Sequence, residues 1–178
     1  MVPRRDVDAK IANATLDILR ARGPRAVTVE AVTAHSGVAK TTIYRRYADR
    51  REMLTAALAR VSPPAPPGEQ ADPEHRLRWV IEHAVDAVDA GIGYGGFAAL
   101  LTDEDAEFAD VFRRILAEQR SALEEVVEQS WPGVGATTLV DAVVGAYIAE
   151  RARTGAVADG WKQRLFALFW PTVRAASA

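Results

Sequence analysis

The sequence of 178 residues predicts an all-α protein. Apolar residues recur at spacings of three and four along most of the chain, and the two-residue alternation typical of strands is almost absent. A proline-rich segment at residues 61–72 (VSPPAPPGEQAD) interrupts this pattern and predicts two domains, residues 1–60 and 61–178. With 49% apolar and 26% charged residues, the chain can bury a core, which excludes a disordered protein.

The N-terminal domain predicts four helices in close succession. Gly23 and Pro24 end the first helix, because glycine accepts the left-handed conformation after a helix and proline cannot continue one. Thr28 and Asp49 precede the second and fourth helices, where their side chains can cap the first free N–H groups. The predicted bounds are residues 6–22, 28–35, 40–47 and 50–60.

The C-terminal domain predicts longer helices. Their bounds are residues 73–89, 104–129, 137–154 and 158–175, with a short helix or loop at 97–101. The glycine-rich run 91–96 (GIGYGG) predicts a flexible helix connection or a ligand entrance. It formally fits the dinucleotide-binding pattern GxGxxG, but it follows a helix and not a strand, so such a site is not expected.

Composition argues against several classes of function. The chain contains no cysteine, which excludes a disulfide scaffold and a thiol nucleophile. The three histidines have no evident nucleophile partner, so we expect no catalytic residues, no enzyme activity and no cofactor. Acidic residues at 103–107 are explained by a helix start without a metal. An apolar run of membrane-spanning length is not evident, so we expect a cytoplasmic protein with no membrane partner.

The modest net charge of −2 conceals two oppositely charged parts. Residues 1–60 hold twelve basic and six acidic side chains, which gives a net charge of +6. The remaining residues carry a net charge of −8. A basic N-terminal part indicates a polyanionic partner, although basic surfaces also serve solubility.

A helix-turn-helix is predicted where two short helices meet at Gly37. In this motif the second helix enters the major groove of double-stranded DNA. Val32, Val38 and Ile43 can form a small core beneath the turn. The side chains left on the outside of the second helix suit guanine edges, thymine methyls and phosphates: Lys40, Thr41, Thr42, Tyr44, Arg45 and Arg46.

Residues 28–58 (TVEAVTAHSGVAKTTIYRRYADRREMLTAAL) resemble the DNA-binding signature of the tetracycline-repressor (TetR) family. That signature has a threonine opening the second helix, a Gly-Val turn, a recognition helix ending in Tyr-x-x-aromatic, and a base opening the fourth helix. The matching positions are Thr28, Gly37-Val38, Lys40 to Thr42, Tyr44 with Tyr47, and Asp49-Arg50. Thr33 and Ser36 depart from it, because the family usually has alanine at both positions.

The resemblance implies a DNA-binding regulator, most commonly a repressor, that a small-molecule effector releases from a palindromic operator. Lys40, Thr41, Thr42 and Arg45 would face bases or nearby phosphates, and Thr28, Tyr44 and Arg50 would anchor the DNA backbone. Family members pair through their last two helices, here about 137–154 and 158–175. Apolar residues cover most of the circumference of both helices, which indicates burial on two sides.

The resemblance also implies an effector cavity in the C-terminal domain. Aromatic residues with polar tips are typical of such pockets, although aromatic side chains at helical spacing are more often plain core. The candidates are Trp79, His83, Tyr94, Phe97, Phe108, Phe112 and Tyr147. The alternative to the whole interpretation is a helical ligand-binding or protein-interaction module that retains a helix-turn-helix without operator function.

Overall fold

A computed structural model of the chain describes residues 4–61, 65–68 and 70–176. These residues form α-helices, one 3-10 helix at Pro24–Ala26 and one π-helix at Ala87–Ile92, with no strand among them. The predicted all-α class is therefore confirmed. The α-helices are α1 Arg4–Arg22, α2 Val29–Ser36, α3 Lys40–Arg46, α4 Arg50–Leu58, α5 Pro73–His83, α6 Gly93–Leu101, α7 Ala106–Ser130, α8 Ala136–Thr154 and α9 Trp161–Ala175.

By contacts between residues, the chain divides into two compact units. The first unit comprises residues 1–62 and 87–117, and the second unit comprises residues 63–86 and 118–178. One break lies beside the predicted boundary at residue 61, but residues 87–117 group with the N-terminal residues. The assignment of different functions to residues 1–60 and 61–178 stays a prediction.

The core of the first unit forms around α1, which packs against α2, α4 and α6. Ile11 and Leu19 of α1 are fully buried together with Leu54 of α4, because these apolar residues recur on one face of each helix. Phe108 and Phe112 of α7 stack within the same core, with ring centroids 5.8 Å apart. Val32 of α2 and Ile43 of α3 belong to the same core.

The interpretation of the glycine run as a flexible connection is wrong. Residues 87–92 form the π-helix, and α6 starts directly at Gly93. Arg20 of α1 donates a hydrogen bond from Nε to the carbonyl of Gly91 at 2.8 Å. A Cβ atom added at Gly93 would lie 3.2 Å from the Arg20 Cα, so the glycine allows this part of the chain to approach α1 closely.

The second unit is built on α5, which packs against α8 and α9. Its fully or nearly fully buried side chains include Leu77, Val143 and Trp161. Tyr147 of α8 meets the ring of Trp161 edge-on, with the ring centroids 5.2 Å apart. This contact joins one aromatic residue from each of the last two helices.

One helical stretch, Pro73–Leu101, is long and apolar enough to cross a membrane by length and composition. Its mean hydropathy reaches 1.2 over an 18-residue window, and 50% of that window is buried inside the protein. Core helices of soluble proteins pass the same test, so this stretch is weak evidence for a membrane span.

Candidate nucleic-acid interface

The turn between α2 and α3 is fixed by local hydrogen bonds. Thr28 caps α2, since its Oγ1 accepts a hydrogen bond from the Ala31 N–H at 3.1 Å. Gly37 has a φ of 69°, the left-handed conformation that the predicted reversal requires. The Ser36 hydroxyl donates to the Val32 carbonyl at 2.6 Å and accepts from the Val38 N–H at 3.1 Å. The departure from alanine at residue 36 thus reinforces the turn.

The underside of α3 is anchored in the core of the first unit. Ile43 is 1% exposed and Val32 is fully buried, with Val38 packed against the same cluster, which confirms the small core predicted beneath the turn. Tyr47 ends α3 as its C-cap and also packs on this core. The opposite face of α3 is thereby directed away from the core.

That outer face carries most of the residues predicted to contact DNA. Lys40, Thr41 and Arg45 are exposed, and Tyr44 is 51% exposed, whereas Thr42 is partly buried. The Lys40 ammonium lies 5.6 Å from the centroid of the Tyr44 ring, close enough for a cation–π contact. The helix therefore presents a continuous strip of cationic, hydroxyl and phenolic groups.

Glu30 of α2 is a residue of this surface that the sequence analysis missed. Its carboxylate is paired with the Lys40 ammonium across the turn. The hydrogen bond that Lys40 donates to Glu30 raises the pKa of this ammonium. The sequence does not reveal the pairing of Glu30 with Lys40, because the two residues are ten positions apart and lie on different helices.

The prediction that Arg46 lies on the outside of α3 is wrong. Its side chain is only 15% exposed, and its Nη1 is paired with the Asp8 carboxylate of α1. Arg46 is the last residue of α3 and points toward α1, so its charge ties the recognition helix to the rest of the first unit. Arg45, one position earlier, is exposed.

Arg50, predicted to anchor the DNA backbone, is engaged inside the first unit. Its guanidinium pairs with Asp105 and Glu107, each with a nitrogen to oxygen distance of 2.6 Å. Burial lowers the pKa of Arg50, but the hydrogen bonds that it donates to these two carboxylates outweigh that effect and hold the pKa above its ordinary value. For Asp105, the hydrogen bond from Arg50 overcomes the opposing effect of burial, so its pKa is lowered.

The seven predicted effector residues are distributed over both units. The second unit contains Trp79, His83 and Tyr147, and the first unit contains Tyr94, Phe97, Phe108 and Phe112. Trp79 and His83 contact each other, with ring centroids 5.0 Å apart, and His83 Nδ1 lies 2.6 Å from a carboxylate oxygen of Asp86. Their shared role in an effector pocket stays a prediction.

A surface cleft of about 230 Å³ lies within the second unit, between the last turns of α5 and the first turn of α9. None of the predicted effector residues lines it. It is lined by Arg78, Ile81, Glu82, Lys162 and Gln163, and Lys162 pairs with Glu82 at 3.2 Å.

Comparison with known proteins agrees with this geometry. Residues 11–57 match the family described as bacterial regulatory proteins, tetR family. The solved structure of the transcriptional regulator FadR from Bacillus subtilis in complex with stearoyl-CoA is similar in fold, with a TM-score of 0.58 and 15% sequence identity. The similarity covers 96% of this chain and 97% of that chain. No curated protein matches the sequence.

The family match covers the helix-turn-helix that carries the exposed cationic helix, and it supports a DNA-binding transcriptional regulator. The matched residues contain the whole of α2 and α3 together with nearly all of α4. The helix-turn-helix region of this chain is therefore similar to that of the tetR family, and the similarity to FadR extends to the fold of the rest of the chain.

Proposed function

We propose that this protein is a cytoplasmic repressor that binds a palindromic operator as a homodimer and is released by a small molecule. The observation that carries the proposal is the outer face of α3, where exposed Lys40, Thr41, Tyr44 and Arg45 project from a helix anchored by buried Ile43. A helix of this kind fits the major groove, where arginine and lysine contact guanine edges and threonine contacts thymine or phosphate. The function is therefore binding and not catalysis.

The individual contacts follow from the groups that each side chain offers. Lys40, Thr41, Thr42 and Arg45 are the proposed contacts to bases or nearby phosphates. Thr28 and Tyr44 are the proposed backbone anchors: the Thr28 oxygen accepts from the Ala31 N–H, which leaves its hydroxyl proton available for a phosphate oxygen. Lys40 keeps N–H donors in excess of the one that Glu30 engages.

Pairing through α8 and α9 is supported by the apolar residues that these helices leave exposed. Leu168 of α9 is 65% exposed, and small residues Ala142 and Gly145 of α8 are exposed and permit close approach of a second helix. Two copies related by a two-fold axis would bury these surfaces in a four-helix arrangement. Such a dimer places two recognition helices about 34 to 36 Å apart, one turn of DNA, when it binds its operator.

A ligand releases the operator only if it binds better to a conformation with a different separation of the recognition helices. The FadR structure contains stearoyl-CoA, which makes acyl-CoA thioesters the first class of effector to test here. The expected result is weaker operator binding in their presence.

Selection of binding sites from a random pool of duplex DNA tests the proposal. The expected result is enrichment of a palindrome, bound by two copies of the chain, with affinity that falls steeply as salt rises because phosphate contacts release counterions. Recovery of no sequence preference would contradict the proposal. It would favour the alternative, a helical ligand-binding or protein-interaction module that retains the helix-turn-helix without operator function.

A further inference from the structure

Arg50 uses every hydrogen-bond donor of its guanidinium inside the first unit. Nε donates to the carbonyl of Val27 at 2.8 Å, and Nη2 donates to the carbonyl of Pro24 and to Asp105, each at 2.6 Å. Nη1 donates to Glu107 at 2.6 Å and to Asp105 at 3.3 Å. An arginine has five N–H donors, and these contacts account for all five. Binding a phosphate would require Arg50 to give up some of them.

The charges around Arg50 also oppose a phosphate. The Asp105 carboxylate is 10% exposed and the Glu107 carboxylate 36% exposed, beside an Arg50 side chain that is 24% exposed. Two carboxylates face one guanidinium, so the cluster carries a net negative charge. An approaching phosphate would meet this charge in a site where water screens it less than on an open surface.

The contacts of Arg50 join the segments that fix the placement of the helix-turn-helix. Arg50 is the first residue of α4, and Asp105 caps α7 by accepting a hydrogen bond from the Phe108 N–H at 3.0 Å. Pro24 and Val27 belong to the segment directly before Thr28, the cap of α2. One side chain therefore holds the starts of α2, α4 and α7 together.

We propose that Arg50 is a positioning residue for DNA binding, which sets the orientation of α2 and α3 through Asp105 and Glu107 and makes no contact with a DNA phosphate. The inference rests on the operator binding proposed above. It assigns to Asp105 and Glu107 a role in DNA affinity, although they lie 59 and 61 positions after the last residue of the recognition helix.

The test compares Arg50→Gln, Arg50→Lys, Asp105→Asn and the double variant of Arg50→Gln with Asp105→Asn. Dissociation constants are measured for the selected operator and for a scrambled duplex over a range of salt concentrations, well below each variant's unfolding temperature. The active fraction of each preparation is measured by stoichiometric titration, so that a loss of folded protein is not mistaken for a loss of affinity. Arg51→Gln is the matched control, since it removes the same charge from α4, where Arg51 lies 3.8 Å from Asp110.

The proposal predicts that Arg50→Gln and Asp105→Asn each weaken operator binding about tenfold, as expected for loss of a charged hydrogen-bonded contact. The double variant should bind the operator no more weakly than the single variant with the lower affinity, because both changes break the same interaction. Arg50→Lys should also bind the operator more weakly than the wild type, since an ammonium cannot make the same set of contacts. The salt dependence should equal that of the wild type, and Arg51→Gln should keep the wild-type ratio of operator to scrambled affinity.

A phosphate contact at Arg50 gives the opposite pattern. The slope of log K against log salt would then fall by about 0.9 for each half-site in Arg50→Gln, with restoration by Arg50→Lys and no loss of affinity in Asp105→Asn. That result overturns this proposal alone. If the wild-type protein prefers no duplex at all, operator binding and the role of Arg50 both fail.

Discussion

Neighbouring arginines at the end of α3 show how position decides what a charge does. Arg45 is exposed on the outer face, whereas Arg46 is 15% exposed and paired with Asp8. The helical turn of about 100° between successive residues separates the two side chains, so one faces the proposed groove and the other faces α1. The same residue type thus serves recognition at one position and stability at the next.

Replacing Arg45 with alanine should relax base preference without unfolding the protein. An arginine bound to a guanine edge discriminates against other bases by about 1 to 3 kcal/mol, and this difference would disappear at one operator position in each half-site. Binding to a set of operators that each carry a single base change measures the effect. An unchanged preference at every position would show that Arg45 makes no base contact.

Arg46→Ala is the matched control for that experiment. It leaves the Asp8 carboxylate without its partner at a half-buried site, so the free energy of unfolding should fall by about 1 to 3 kcal/mol. Base preference of the folded fraction should stay as in the wild type. A loss of preference equal to that of Arg45→Ala would contradict the orientation of α3.

Asp105 should make stability depend on pH in the acid range. Its pKa is lowered in the folded protein by Arg50 and by the Phe108 N–H, against the effect of burial. A carboxylate of this kind stabilises the fold fully above its unfolded pKa of about 3.9, and that contribution is lost as the pH falls through the lower folded value. Asp105→Asn should therefore reduce the free energy of unfolding by about 2 kcal/mol at pH 7.

Urea unfolding of the wild type and Asp105→Asn over a range of pH checks this prediction. The difference in free energy of unfolding between the two proteins should be constant from pH 7 to about 5, and it should decrease below about pH 4. If this difference in free energy stays constant at acid pH, the charge of Asp105 contributes nothing to the pairing with Arg50.

Most residues of the outer face could be predicted from sequence, because the turn and the helical period fix which side chains leave the core, but Arg46 could not. The partners of the remaining charges could not be predicted in this way. Asp8 lies 38 positions from Arg46, and Asp105 lies 55 positions from Arg50. Such pairs depend on how the helices pack, which periodicity within a single helix does not reveal.

At the scale of helices, the predicted starts at residues 50 and 73 are confirmed, and one side chain caps each of them, whereas α7 starts at Ala106 instead of residue 104. Asp49 accepts a hydrogen bond from the Glu52 N–H and Asp72 accepts one from the His75 N–H, both at 2.8 Å. Such caps depend on residues three positions apart, so sequence alone displays them. The predicted end of the fourth helix lies two residues too late, because α4 stops at Leu58 instead of residue 60.

The glycine run failed as a prediction because packing overrode local preference. Glycine disfavours a helix by about 1 kcal/mol relative to alanine, which argued for a connection. In the structure, the glycines allow the π-helix and α6 to lie against α1, where Arg20 binds the carbonyls of Ala90 and Gly91. A contact of this kind joins residues 70 positions apart and leaves no local signal.

Two glycines with nearly the same backbone angle should respond differently to alanine. Gly37 has a φ of 69° and nothing within 4 Å of an added Cβ, so Gly37→Ala should cost only the strain of the left-handed conformation, about 1 to 2 kcal/mol. Gly93 has a φ of 67°, but its added Cβ would lie 3.2 Å from the backbone of Arg20. Gly93→Ala should therefore reduce the free energy of unfolding more than Gly37→Ala. Equal losses in chemical denaturation would contradict the close approach of α6 to α1.

At the scale of the whole molecule, the charge distribution separates the proposed tasks. The basic side chains of the first sixty residues include those of the outer face of α3, and the acidic excess lies in the rest of the chain. An acidic body repels DNA and leaves the basic part as the favourable approach. Diffusional association with DNA should therefore be oriented before any base is contacted.

Two exposed leucines provide a matched test of pairing through α8 and α9. Leu168 lies on α9 and is 65% exposed, and Leu101 lies at the end of α6 and is 70% exposed. Leu168→Glu should convert the proposed dimer to a monomer and weaken operator binding, because a charge in an apolar interface is left without a partner. Leu101→Glu should leave the mass in sedimentation experiments unchanged. Monomers in both variants, or in neither, would contradict the proposed interface.

Methylation interference at guanine N7 on the selected operator tests the central claim most directly, because N7 lies in the major groove. If α3 from each of two copies occupies that groove, methylation should block binding at two groups of guanines related by two-fold symmetry. Their centres should be separated by about one helical turn, 10 to 10.5 base pairs. A single group of guanines, or binding that methylation leaves unaffected, would contradict the account.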